Sequence, residues 1–263
     1  MVPAMKPILQ KALPDDPWLE AAGRGLPGVR PLEGPWLKAD DACHAQLELR
    51  DRLVAEKPDA VLAALPGSEA ALAELRQLVA AEASHLPGYQ LAGGTLIRSD
   101  GVKLGPDVPD IVFLGRACQE DFCLLEKQGG QHVLTAAALC FPASWKLSEK
   151  LGRPLTGIHV PVPEYDENVA RRVQRLFDGL HVDRPIWRAN ALFYQDPTLH
   201  QPKKQKSGED SVYFRTEFQV LRRLSGSRAI VFSIHTVVLD LARLTDRERS
   251  KLPVFENVSR GSR

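Results

Sequence analysis

The chain has 263 residues, 44% hydrophobic and 25% charged, enough apolar material for a core that needs no disulfide or metal staple. Its 34 basic and 33 acidic side chains leave a formal net charge of +1, which gives no electrostatic footprint for nucleic acid. No run of 18 apolar residues occurs and the opening MVPAMKPILQ lacks the apolar core of a secretory signal, so a cytoplasmic protein without a membrane span is expected.

Residues 1–37 are rich in Pro, Gly and Leu and carry Trp18 and Trp36. They read as an irregular arm wrapped on a core, because two indoles are costly to leave in water. Within the arm, Gly23–Gly28 has the glycine spacing of a dinucleotide-binding loop, but it contains a proline, follows no strand and opens no helix. Asp40–Glu56 reads as a helix with Asp40 or Asp41 at its positive end. Ser68 is expected to cap a second helix from Glu69 to about His85, where Leu72, Leu75, Leu78 and Val79 follow the helical period. Pro66-Gly67 and Pro87-Gly88 punctuate these elements, so residues 1–88 read as an arm and a helical layer.

From residue 89 to 256 the pattern changes to strands. The carboxylate pair Glu120-Asp121, ahead of Phe122–Leu125, reads as the start of a helix more readily than as a catalytic pair. Residues 132–141 form a continuous apolar run suited to a buried strand. Val169, Val173, Leu176, Phe177 and Leu180 make an apolar stripe on a helix over 167–180. Residues 185–194 and 211–221 alternate as half-buried strands, and 228–238 is a β-branched third. Between them the polar, basic residues 197–210 read as an exposed loop, with a docking surface for an acidic partner as the alternative. Thr245 caps a short helix before a polar tail at 257–263. Helices followed by strands on short connections predict an α+β fold with an antiparallel sheet and a helical N-terminal layer.

Cys43, Cys118, Cys123 and Cys140 are too few for a disulfide framework, and no second close Cys/His pair follows Cys118 and Cys123, so reduced thiols are expected. His159 lies in Gly157–Pro163, where two prolines stiffen the backbone. It suits a hydrogen-bonded turn histidine, a general base, or a fixed axial ligand. Period-2 alternation puts Tyr213, Arg215, Glu217 and Gln219 on one strand face and Phe214, Thr216, Phe218 and Val220 on the other. The polar face is either solvated or a pocket wall in which Arg215 binds a carboxylate and Glu217 a cation. His235 shares a face with Ala229, Val231 and Ser233, and Arg188 and Asn190 share one with Ile186. Each is a ligand contact or a residue satisfied in place. No G-x-S-x-G elbow supports a hydrolase triad.

Five segments taken together carry a resemblance: Glu120–Leu125, Cys140–Trp145, Lys150–Leu155, Ile158–Pro163 and Arg215–Leu224. Their order and spacing, with Trp36–Asp40 and Arg50 upstream, resemble the α-subunit family of haem-dependent oxidative N-demethylase over roughly residues 30–245. The resemblance implies a PAS-like fold holding haem b and an oxidoreductase that uses O2 to demethylate a small amine. Electrons from NADPH would arrive through a separate flavin and iron–sulfur reductase subunit. It implies His159 as the iron ligand and Glu217 as the group holding the protonated amine. Arg188, Arg215 and Arg222 become candidates for the haem propionates by charge, and His235 a candidate for the distal pocket. The chain departs from the family pattern at Phe218, where an arginine is expected, at Ala191, where a tryptophan is expected, and at His235, where arginine is frequent. These departures fall in segments expected to line the pocket. A non-catalytic haem or small-ligand sensor, and an interaction module that kept only the fold, are the competing readings.

Overall fold

Seven strands make one antiparallel sheet whose central members are the β-branched and aromatic segments late in the chain. The computed structural model describes residues 6–24, 28–155, 167–203 and 211–253. The helices are α1 (Asp16–Ala22), α2 (Cys43–Glu56), α3 (Pro58–Val61), α4 (Glu69–Ala83), α5 (Asp110–Arg116), α6 (Leu147–Lys150), α7 (Glu167–Gly179) and α8 (Asp246–Arg249). The strands are β1 (Arg30–Pro31), β2 (Leu62–Ala64), β3 (Gln90–Ala92), β4 (Thr95–Ile97), β5 (Lys103–Leu104), β6 (Asp121–Gln128), β7 (Gln131–Ala138), β8 (Ile186–Tyr194), β9 (Tyr213–Arg223) and β10 (Ile230–Asp240). The large sheet runs β1-β8-β9-β10-β6-β7-β2, and β3-β4-β5 form a small one. This is the α+β class expected from the order of elements. No helix among the described residues is long and apolar enough to cross a membrane.

Strand alternation divides the side chains between two faces. On one face Trp187, Ala189, Ala191, Phe214, Phe218, Val220, Val231 and Val237 join Leu47 of α2, Leu72, Leu75 and Val79 of α4, and Phe113 of α5 in the main core. The arm is fastened there by its two indoles: Trp18 Nε1 donates to Thr216 Oγ1 at 2.8 Å and Trp36 Nε1 to Ser233 Oγ at 2.7 Å. On the other face Cys123, Leu125, Leu134, Leu221 and Ile234 meet Leu147 of α6 and Val173 and Phe177 of α7. The C-terminal end of α7 is tied down by Arg223, whose guanidinium donates to the carbonyls of Leu180 and Phe177.

Several local expectations are corrected. Glu120-Asp121 begins strand β6, not a helix, because the pair is consumed in buried contacts. Arg50 and Asp121, both fully buried, pair at 2.9 Å. Arg50 also donates to the carbonyls of Gly115, Gln119 and Glu120, while Asp121 accepts from the backbone N–H of Cys140 and Phe141. This strut joins α2, the end of α5, the start of β6 and the residues that follow β7. Gly115 is required beside it, since a Cβ there would meet Leu62 and Val54 side-chain carbons at 3.0 and 3.1 Å. Helix α2 starts at Cys43, because the Asp40 carboxylate accepts from Ala42 N–H and from other buried donors. Ser68 does occupy the N-cap position of α4, but its hydroxyl donates backwards to Leu65 O. Thr245 and Glu248 form the capping box of α8.

Candidate functional site

The second face of the sheet is not fully filled. Between it and α6–α7 lies a cavity of about 450 Å³. One part is apolar: Cys123, Leu125, Leu134, Phe232 and Ile234 from the sheet face Leu155, Val173, Leu176 and Phe177 from the cover. The other part is a polar quartet set by strand register. Arg188 and Gln219 are cross-strand partners, as are Asn190 and Glu217, and all four line the cavity.

The quartet is internally bonded. Glu217 Oε2 accepts from Asn190 Nδ2 at 2.8 Å and Gln219 Nε2 at 2.9 Å. Its Oε1 accepts from Arg215 Nη2 at 3.2 Å. Asn190 Oδ1 in turn accepts the Glu217 backbone N–H, so the carboxylate is held from two strands. Arg215 stands behind the wall, fully buried, with its remaining contacts to the carbonyls of Leu199 and Phe141. Arg188 donates Nη1 to Gln219 Oε1 at 2.8 Å, while its buried Nε–H has no acceptor. Burial pushes the Arg188 pKa down, and the nearby Glu217 charge only partly offsets this.

Two further groups shape the rim. Ser144 lines the cavity at φ 65°, in the left-handed region that a non-glycine residue adopts only under local constraint. Tyr194 faces it, its hydroxyl 3.5 Å from Ser144 Oγ. At the apolar end Lys150 places Nζ 4.3 Å from the Trp145 ring centroid, with no carboxylate partner among the described residues. Burial pushes its pKa down. Arg188 and Lys150 are thus half-buried lining cations with no ion-paired carboxylate among the described residues, although the Glu217 charge is near Arg188, and both offer donors to an anionic ligand group.

Of the residues marked from sequence, the structure brings Arg188, Asn190, Glu217 and Gln219 together, with Arg215 in support. Arg222 is elsewhere: it pairs with Glu82 of α4 at 2.7 Å and lies over the Trp36 ring. His159 lies outside the described residues, as do Lys204 and Lys206 of the polar loop. Phe218, Ala191 and His235 lie on the helix face, opposite the cavity of the Glu217 quartet, and His235 lines a separate, larger cleft. Phe218 is stacked on Trp187 with ring centroids 4.7 Å apart. Lys150, Trp145, Ser144 and Tyr194 were not singled out as site residues. The first three lie in the Cys140–Trp145 and Lys150–Leu155 segments of the resemblance, which was the available signal. The four cysteines are free and buried.

A larger cleft of about 790 Å³ lies on the helix face, lined by Trp18, Leu37, Asp40 and His235 among others. Of its two histidines, His85 and His235, the second is bonded at both ring nitrogens. His235 Nδ1 bonds Glu120 Oε1 at 3.0 Å and Nε2 bonds Asp40 Oδ2 at 3.1 Å. Burial opposes its charge, but the two carboxylates outweigh that and hold the pKa up at about 9. Asp40 is itself also opposed by burial, and the His235 contact helps hold it down at about 2. A raised histidine stabilises the fold fully below its unfolded pKa of 6.5 and loses that contribution as pH climbs through about 9. Unfolding free energy is therefore expected to fall by about 1.4 kcal/mol per pH unit within that window. Urea midpoints across it should show the decline, and His235→Gln should flatten it; an equal slope in both proteins refutes the assignment.

The model of a family described as haem-dependent oxidative N-demethylase, alpha subunit-like, matches residues 29–256.

Proposed function

This chain belongs to the haem-dependent oxidative N-demethylase, alpha subunit-like family, and from that membership we propose that it is a cytoplasmic, PAS-like, haem b-binding oxidoreductase that demethylates a small amine. Dioxygen is the co-substrate, and a partner reductase that carries flavin and an iron–sulfur cluster supplies electrons from NADPH. The observation that supports this best is the cavity between the sheet and α6–α7. It combines an apolar slot, cations without counter-ions, and a buried carboxylate held by three donors.

Those residues suit the cofactor. The apolar walls from β6, β7, β10 and α7 accept a flat macrocycle, and Lys150 offers an unpaired ammonium to one of its carboxylates. Of the three arginines considered for that task, Arg222 pairs with Glu82 and Arg215 bonds Leu199, Phe141 and Glu217 from behind the wall; Arg188 is the one of the three that lines the cavity, and its Nε–H, like that of Arg215, has no acceptor among the described residues. His159, four residues beyond the cavity-lining Leu155, is the proposed iron ligand. Bound haem would supply an iron at which dioxygen is activated.

The chain's own residues supply binding and orientation. Glu217 holds the ammonium of the substrate through the one acceptor site on Oε1 that Asn190, Gln219 and Arg215 leave open, so the N-methyl group is aimed at one place. Asn190 and Gln219 fix the carboxylate so that it does not reorganise when the amine arrives. The enclosing Leu176 and Phe177 exclude water and strengthen that ion pair. With haem in this cavity, His235, bonded to Glu120 and Asp40 on the opposite face, would not be a second ligand, which supports the enzyme reading over a six-coordinate sensor.

The test is an absorption spectrum of the purified protein supplied with hemin, before and after dithionite and carbon monoxide. A Soret band that shifts with carbon monoxide is expected. A protein that takes up no hemin leaves the family fold without its cofactor and overturns the proposal.

A further inference from the structure

The polar end of the cavity carries more positive charge than an amine site needs. A simple alkylammonium asks for one carboxylate, and Glu217 is that group. Yet Glu217 is already balanced by Arg215 at 3.2 Å. Arg188 adds a second guanidinium on the same wall, bonded to a neutral amide and carrying a buried Nε–H with no acceptor. Binding an alkylammonium beside these groups would raise the charge of a dry pocket further, which is unfavourable.

Resting on the demethylase reading, we propose that the substrate is a zwitterion, an N-methylated α-amino acid, whose carboxylate is bound by Arg188 while its ammonium is bound by Glu217. The register sets the distance. Arg188 lies opposite Gln219, and Glu217 is two residues before Gln219 on β9, so Arg188 and Glu217 are diagonal neighbours. Diagonal positions on one sheet face are roughly 7–8 Å apart at the backbone. The inward-leaning side chains span part of that gap, which leaves room for two ligand charges separated by one tetrahedral carbon. Gln219 bridges the two protein charges, accepting from Arg188 and donating to Glu217. The other unpaired cation, Lys150, sits at the apolar end and is left for the cofactor. The reaction balances as a secondary amine, dioxygen, two electrons and two protons giving the primary amine, formaldehyde and water. The N–CH3 bond breaks, the methyl carbon is oxidised, and the electrons come from a reduced flavin or iron–sulfur protein.

The experiment uses the hemin-loaded full chain and reads the Soret perturbation as N-methylglycine or dimethylamine is titrated. The intact protein should bind N-methylglycine at least about tenfold more tightly, the worth of one charge-assisted hydrogen bond. Arg188→Gln should collapse that ratio to near one, and Arg188→Lys should restore part of it. Glu217→Gln should weaken both ligands. A ratio unchanged in Arg188→Gln overturns the proposal. So does loss of hemin from Arg188→Gln, which would assign the arginine to a cofactor carboxylate. A Soret band that neither amine perturbs removes the substrate class while leaving the haem reading intact. Absence of the band in the parent protein removes both.

Discussion

Asp121→Ala is expected to lower the unfolding free energy by about 3–5 kcal/mol, a large part of the roughly 5–15 kcal/mol that a folded domain has. The reason lies in what the carboxylate leaves behind. Arg50 is fully buried, and its guanidinium would keep its charge with carbonyls as its only partners. The N–H groups of Cys140 and Phe141 would lose their acceptor in a dry interior. The damage should reach the cavity, because the Phe141 carbonyl accepts from Arg215, which braces Glu217. Urea denaturation of the two proteins measures the loss. A midpoint within error of the parent would show that the strut contributes little, whereas a double variant with apolar residues at 50 and 121 should recover much of the stability.

His159→Ala is expected to abolish the Soret band or reduce it to weak, non-stoichiometric binding. The segment Ile158–Pro163 carries the family resemblance, Leu155 lines the cavity before it, and α7 lines the cavity after it. A neutral imidazole at that point of the chain would serve as the protein's ligand to the haem iron. Adding free imidazole to the variant should restore the band, which would separate a lost ligand from a lost fold. An unchanged spectrum would move the ligand to another residue.

Much of the sheet was legible because β8, β9 and β10 are long and alternate cleanly. Period 2 put Glu217 and Gln219 on one face and Phe218 on the other, and the structure keeps that division. The same arithmetic places His235 with Phe218, its cross-strand partner, and therefore away from the cavity. The resemblance drew both back into the pocket because they are close to it in sequence. The partners of His235 were not legible, since Asp40 and Glu120 come from 195 and 115 residues away. Strands β2 to β5 have two or three residues each, too short for any period to register. Helix α5 has seven residues and was missed for the same reason. Lys150 was passed over because a surface lysine and a buried one look alike until Trp145 is placed beside it.

The register of β9 has a dynamic consequence. It is paired along all of its 11 residues with β10 and along nine with β8, so its amide hydrogens should be among the last to exchange. Glu217 and Gln219 therefore stand on the strand expected to open least, and Arg188 and Asn190 are paired to it from β8. Their spacing is fixed by strand geometry before any ligand arrives, so the proposed selectivity for a two-charged molecule would be a property of the folded lattice, not of an induced closure.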